Sequence, residues 1–273
     1  MADNNILEIK SAQVGIIGVG NMGEALLVAL LKAGADGTKI NFAVRRAERN
    51  AEISAKYGIK SATIEEMASQ SDVLMIIVKP NDLETIMAKV KPNLKSGTLI
   101  ISFLAAKKIA TLELGLGNPA VVRVMPNTPT FLGAGMSIVS YGEHVRADQR
   151  RFVEKFLQAA GKSVEVDEAL QDAATATSGS GPAYFFAFVE AMVSGAVALG
   201  LDEATATELV VQTIVGAAKM LEESGKSATT LRENVTSHKG MTYEALKVFD
   251  ESDLPGIVAR AMKAAVDRSR EMA

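Results

Sequence analysis

Gly18, Gly20 and Gly23 stand between the apolar run Val14 to Ile17 and a helical pattern through Ala25 to Leu31. That order reads as strand, tight turn and helix N-terminus. Gly18 would make the turn, Gly20 would let the backbone approach a pyrophosphate, and Gly23 would let the helix pack closely on the strand. The free N–H groups of Asn21, Met22 and Gly23, with the helix dipole behind them, would meet the negative charge. A glycine turn in some other α/β protein has the same local pattern, but the flanking strand and helix favour a dinucleotide.

Further positions belong to the same chemistry. The second strand-like run, Lys39 to Arg45, ends in Arg45 and Arg46, about where a nucleotide ribose would arrive. An acidic residue there would accept the ribose hydroxyls of NAD, whereas arginines pair with the 2′-phosphate of NADP. The strand end carries no Asp or Glu, which favours NADPH while leaving NAD possible; the alternative is a solvated arginine pair at a helix start. Val78, Lys79 and Pro80 follow the most hydrophobic run, and Pro80 would turn the chain out of the sheet toward the nicotinamide side. Lys79 is open to reading as an acid, a phosphate ligand or a solvated strand-end residue. Pro126 and Pro129 bracket Asn127 and Thr128, stiffening a loop able to hold backbone donors against cofactor or substrate.

The elements that must position these groups follow from periodicity. Apolar runs at Val73 to Val78, from Thr98 and from Ala120 lack polar alternation and read as parallel strands covered on both faces. Helical patterns at Leu83 to Val90 and Ile109 to Leu114 separate them, so a doubly wound α/β sheet is expected over residues 1–165. Two peripheral strands flank a helix near Asp148 to Ala160. Residues 166–273 read as long alanine-rich helices, interrupted at "SGSGP", at Gly225 and around His238 to Gly240.

The 273 residues are 48% apolar, enough for a large core, and 29 basic against 32 acidic residues give no reason to expect a nucleic acid partner. There is no cysteine, so disulfides and thiolate chemistry are excluded. Two histidines, His144 and His238, form no cluster with metal-ligand spacing, and no metal is expected. The polar, acidic N-terminus has no cationic segment followed by an apolar core, which makes the cytoplasm the default location. Ala183 to Leu201 carries one charge, Glu190, over a nearly membrane-spanning length. A carboxylate at its centre opposes insertion in lipid, so a helix buried on nearly all sides is expected, with no membrane and a partner subunit covering it.

The segments "GVGNMGEAL", "VKP", "VRVMPNTP", "SGSGPAYFF" and "LRENVTS" occur in the order found in the pyrroline-5-carboxylate reductases, and the chain resembles that family from Val14 to Arg270. The resemblance implies an N-terminal Rossmann domain followed by an all-α C-terminal dimerisation domain. It implies reduction of a small cyclic imino acid, L-pyrroline-5-carboxylate, to L-proline by hydride from NAD(P)H, the last step of proline biosynthesis. It further implies a homodimer, with higher assembly open, and a substrate pocket formed with the dimer's helices. By resemblance, Ser237, Gly240 and Thr242 surround the substrate, Thr242 donating toward the ring nitrogen unless it only caps its helix.

This chain departs from the family pattern in three places. Where the family usually reads Ser-Pro-Gly-Gly-Thr-Thr, His238, Lys239 and Met241 stand among Ser237, Gly240 and Thr242. In "SFLAAKK", Ala106 takes the place of a customary glycine, and "ESDLPG" replaces a glycine-rich approach to the last helix. Reduction of another cyclic imine, or dinucleotide binding without catalysis, remain the alternative readings. Alcohol oxidation of the β-hydroxyacid dehydrogenase kind is disfavoured, because the long interdomain helix lacks the lysine that chemistry needs.

Overall fold

The computed structural model describes residues 6–272; residues 1–5, the start of the polar N-terminal stretch, and residue 273 lie outside the described residues. Strands β1 (Val14–Ile17), β2 (Ile40–Ala43), β3 (Lys60–Ser61), β4 (Val73–Ile76), β5 (Leu99–Ser102), β6 (Ala120–Met125), β7 (Gly135–Tyr141) and β8 (Gly161–Glu165) form one sheet. Its spatial order is β3-β2-β1-β4-β5-β6-β7-β8. Pairing is parallel except between β6 and β7.

Helices α1 (Asn21–Lys32), α2 (Ala47–Tyr57), α3 (Ile64–Gln70), α4 (Leu83–Val90), α5 (Ile109–Leu116) and α6 (Ala147–Gln158) pack against this sheet. Alternate residues of β4 belong to two cores. Val73 and Met75 join Leu26, Leu30 and Phe156, whereas Leu74 and Ile76 join Met67, Val90 and Leu112. Cover on both faces is why β1, β4 and β5 are buried at every position and read as unbroken apolar runs. The strand order reverses between β1 and β4, and the crevice at their carboxyl ends is where such sheets bind ligands.

Beyond the sheet come α7 (Gln171–Ala174), a π-helical turn (Thr175–Gly179), α8 (Gly181–Ala198), α9 (Glu203–Glu223), α10 (Ala228–Asn234), α11 (Met241–Glu251) and α12 (Leu254–Glu271). The interruption expected at "SGSGP" is present: α7 ends at Ala174, the chain passes through the π turn and a bend at Ser180, and α8 starts at Gly181. The wider π turn absorbs Pro182, whose ring nitrogen has no proton to give an i−4 carbonyl.

The described residues fall into two compact units, one of residues 6–180 with 265–272 and one of residues 181–264. Residues 168–180 belong with the sheet because Arg123, 3% exposed, reaches Glu168 at 3.4 Å and Asp172 at 3.6 Å. Ser269, near the end of α12, donates its hydroxyl to Asp172 at 2.9 Å.

In the helical unit the expectation of an enclosed helix fails for the single chain. Only Gly181 of α8 is buried, and Phe185 and Phe186 are each 62% exposed. Few helices surround α8 within one chain, and α10 and α11 bury no residue at all. The stretch Glu168–Ala198 is long and apolar enough to cross a membrane by length and composition.

All three departures from the family pattern coincide with left-handed backbone. Ala106 has φ 60°, Lys239 φ 56° and Asp253 φ 54°. The glycine-like turn is therefore kept while a side chain is carried. Asp253 offsets part of the strain by accepting from the Gly256 N–H at 3.1 Å and pairing with Arg260 at 3.1 Å. Ala106 has no polar side chain for such a bond. Replacing Ala106 with Gly is expected to stabilise the protein by about 1 kcal/mol, the left-handed penalty less the added freedom of the unfolded chain. A higher urea midpoint at unchanged slope would show it; a lower midpoint would refute the strain argument.

Candidate functional site

An open cleft of about 1130 Å³ lies at the carboxyl ends of β1, β2 and β4. Of the residues expected at a cofactor, Gly18, Gly20, Arg45, Arg46, Val78 and Lys79 line it. Gly18 adopts φ +97°, and a Cβ there would stand 2.2 Å from the Ile77 carbonyl oxygen. A Cβ on Gly23 would stand 2.2 Å from the Gly18 carbonyl oxygen, so this glycine brings α1 onto the turn. Nothing lies within 4 Å of the place a Gly20 Cβ would take. Gly20 caps α1 without a side-chain hydrogen bond, leaving the first-turn N–H groups of Asn21, Met22 and Gly23 unoccupied by a cap. Space beside Gly20 and unpaired donors at a helix start together fit a pyrophosphate.

The strand-end cations are arranged in a way the sequence pattern concealed. An Arg45 guanidinium nitrogen, Nη2, lies 2.6 Å from Oδ2 of Asp82, in the short 3₁₀ turn Pro80–Asp82 that follows β4. Pro80 does lead the chain out of the sheet, and it brings this carboxylate to Arg45. Lys89 and Glu65, also on the cleft wall, are 3.7 Å apart.

Arg49 is a cleft residue that sequence reasoning passed over. Its Nε donates to the Val19 carbonyl at 3.0 Å, holding the glycine turn between Gly18 and Gly20. Its other nitrogens donate to Glu52, at 2.7 Å, and to Glu24. Glu24 also accepts from Lys56 at 2.8 Å and Tyr57 at 2.6 Å. Burial raises the Glu24 pKa, but hydrogen bonds from Lys56, Tyr57 and Arg49 outweigh it and bring the carboxyl from 4.5 down to about 2. A signal existed in the sequence only as one more arginine, a turn beyond Arg46, with no mark of its partner on α1.

Asn127 is not a lining residue of this cleft. Its Oδ1 accepts from the Met136 N–H at 2.9 Å, and its Nδ2 donates to the Ser178 carbonyl at 3.2 Å. Ser178 is the residue whose carbonyl Pro182 leaves without its i−4 helical partner. Asn127 thus supplies the missing donor, tying the "MPNTP" loop to the π turn.

Ser237, Gly240 and Thr242 come together at the start of α11. Gly240 is the N-cap, its N–H donating to the Ser237 carbonyl at 3.0 Å. A Cβ on it would stand 2.2 Å from Ser237 Oγ, which would have to turn away, and 3.1 Å from the Ser237 carbonyl oxygen. Thr242 is in the first turn, exposed, and among the described residues its hydroxyl has no hydrogen-bond partner; the cap is Gly240. The rings of His238 and Tyr243 meet at 6.0 Å, and Met241 is 94% exposed.

A glycine turn of this shape, at the switch point of a mainly parallel sheet and faced by basic strand ends, defines a dinucleotide-binding Rossmann domain. Residues 13–106 match the family described as NADP oxidoreductase, coenzyme F420-dependent, and residues 168–272 match pyrroline-5-carboxylate reductase dimerisation. The pyrroline-5-carboxylate reductase of Corynebacterium melassecola is 38% identical over 95% of this chain and 98% of its own length. That of Pseudomonas aeruginosa is 37% identical over 97% and 98%. The solved Coxiella burnetii enzyme superposes with a TM-score of 0.90 at 33% identity, covering 96% of this chain and 99% of that one. A Plasmodium falciparum reductase solved with NADP bound gives 0.86 at 28%, covering 97% and 99%.

The chain belongs to the pyrroline-5-carboxylate reductase family. Its helical segment is that family's dimerisation domain, which accounts for the bare apolar faces of α8 and makes the protein a homodimer.

The Glu24 cluster has a defined pH signature. The folded carboxyl ionises below its ordinary value, so its contribution is complete above pH 4.5 and is lost as pH falls toward 2. Glu24→Gln is expected to flatten the pH dependence of stability across that window and to weaken dinucleotide binding by freeing Arg49. Denaturant titrations at several pH values check this; an unchanged acid profile would refute it.

Proposed function

We propose that this protein reduces L-pyrroline-5-carboxylate to L-proline in the cytoplasm, with NADPH preferred over NADH. The observation that carries the reading is the match to pyrroline-5-carboxylate reductases over nearly the whole chain. When bound, the reduced nicotinamide supplies a hydride to C5 of the ring's C=N bond; with a proton on nitrogen, this yields the amine.

The chain's own residues then bind and orient. Gly18, Gly20 and the N–H groups of Asn21, Met22 and Gly23 hold the pyrophosphate, and Arg45 and Arg46 hold the 2′-phosphate. Val78, Lys79 and Pro80 shape the wall beside the nicotinamide, while Asn127 acts by fixing its loop. Ser237 and the backbone up to Gly240 hold the substrate carboxylate at the positive end of α11. Thr242 donates toward the ring nitrogen. Its hydroxyl is a poor acid, so it positions, and the proton arrives with the substrate or from water. Positioning supplies much of the rate, since donor and acceptor must meet in one orientation.

We take residues 1–165 as the dinucleotide-binding domain and 166–273 as the dimerisation and substrate segment. The compact division after Ser180 is a different cut, because residues 168–180 pack on the sheet. Dimers are free to associate further. Reduction of a six-membered cyclic imine is the second reading, favoured only by His238, Lys239 and Met241 in the substrate loop.

Incubation with each imine and each reduced cofactor distinguishes these readings. L-Proline is expected in one-to-one ratio with cofactor oxidised, and Thr242→Ala should lower kcat/KM by about 10- to 100-fold, the worth of a hydrogen bond to a charged group. Faster turnover of the six-membered ring would reassign the substrate. Separately, the double replacement Arg45→Gln, Arg46→Gln should weaken NADPH by about tenfold or more while sparing NADH. Equal losses for both would remove the arginines from the phosphate site.

A further inference from the structure

The end of β2 carries no carboxylate in the sequence, yet the fold delivers one. Asp82 is 37 residues beyond Arg45, and its Oδ2 lies 2.6 Å from Arg45 Nη2. Both line the cleft, the Arg45 side chain 78% exposed and that of Asp82 29% exposed. The neighbouring carboxylate, Glu65, stands 3.7 Å from Lys89. The same guanidinium edge is thus claimed by Asp82 and by any 2′-phosphate arriving at the strand end. A phosphate dianion placed on Arg45 must displace the carboxylate or share the guanidinium with it against like-charge repulsion. A ribose bearing two hydroxyls faces neither demand.

We propose that Asp82 is a specificity-determining residue of the cofactor cleft. Its ion pair with Arg45 opposes the 2′-phosphate and holds the preference for NADPH over NADH below what Arg45 and Arg46 would confer alone. This rests on the reading of those arginines as the phosphate site. Removing the carboxylate charge strengthens NADPH binding; removing Arg45 weakens it and makes Asp82 irrelevant to the discrimination.

Calorimetric titration of the intact homodimer with NADP⁺, NAD⁺, adenosine 2′,5′-bisphosphate and AMP tests this without turnover. Asp82→Asn, nearly isosteric, is expected to tighten NADP⁺ and the bisphosphate by about two- to fivefold, the range of an exposed ion pair, and to leave NAD⁺ and AMP unchanged. The gain should shrink at high salt and vanish in an Arg45→Gln background. A matching thermal midpoint for wild type and Asp82→Asn confirms that the variant is folded; Asp82→Glu, which keeps the charge, should restore the wild-type ratio. Unchanged or weaker NADP⁺ binding, an equal change for NAD⁺, or a gain that persists without Arg45 would overturn the proposal. If Arg45→Gln, Arg46→Gln leaves the NADP⁺ to NAD⁺ ratio unaltered, the phosphate reading falls and this inference with it. If that ratio collapses while Asp82→Asn changes nothing, only the role of Asp82 falls.

Discussion

Two carbonyl oxygens occupy the places where side chains on Gly18 and Gly23 would stand, those of Ile77 and Gly18 respectively. This close approach of three backbone segments sets the rest of the cofactor site. It seats the turn after β1 against the end of β4, then seats α1 against the turn, and so aims the helix N-terminus across the switch point. A Cβ at either position would push backbone against backbone, which a rotamer change cannot relieve. Gly20 differs in kind. Its missing side chain leaves open space, so one glycine triplet combines two packing constraints with one opening. Arg49 fixes the remaining carbonyl of the turn, that of Val19, and Glu24 fixes Arg49 in turn. The turn is thereby anchored from α1 and α2 together, and its N–H groups are left free.

Elsewhere the chain keeps backbone shape without glycine. Ala106, Lys239 and Asp253 each adopt a left-handed conformation, at a cost of about 1–2 kcal/mol apiece before local compensation. In the loop from Ser237 to Thr242, Lys239 takes the left-handed conformation while Gly240 has an ordinary φ of −82° and lies against Ser237 Oγ.

The central strands were legible because cover on both faces demands an unbroken apolar run, and α4 begins and ends where the pattern placed it. By contrast β3 and α3 escaped notice. The strand has two residues, Lys60 and Ser61, both exposed, and α3 is marked mainly by the reciprocal Thr63–Glu66 capping box. Asp82 escaped for a different reason. A carboxylate that reaches Arg45 from the end of another strand leaves no local spacing to read. The loop around Asn127 was visible as a stiffened segment and "SGSGP" as a helix interruption, yet their meaning is joint. Proline frees the Ser178 carbonyl and asparagine takes it, so the π turn and the "MPNTP" loop form one junction.

Burial of α8 was the expectation least decidable from a single chain, because the property belongs to an assembly. The apolar composition of Ala183 to Leu201 requires cover, but it does not say whose atoms provide it. Within one chain the aromatic residues Phe185 and Phe186 stay largely exposed and Phe188 partly so, and the dimerisation match supplies the reason. Apolar area removed from water contributes about 25 cal/mol per Å², so several exposed aromatics represent a large fraction of the net stability of an ordinary domain. That contribution is realised only on association. The helical unit's folding free energy is consequently linked to subunit concentration, whereas the central strands of the N-terminal sheet already have cores on both faces within one chain. The central strands enclose their apolar side chains within one chain, whereas α8 leaves its own for a second copy.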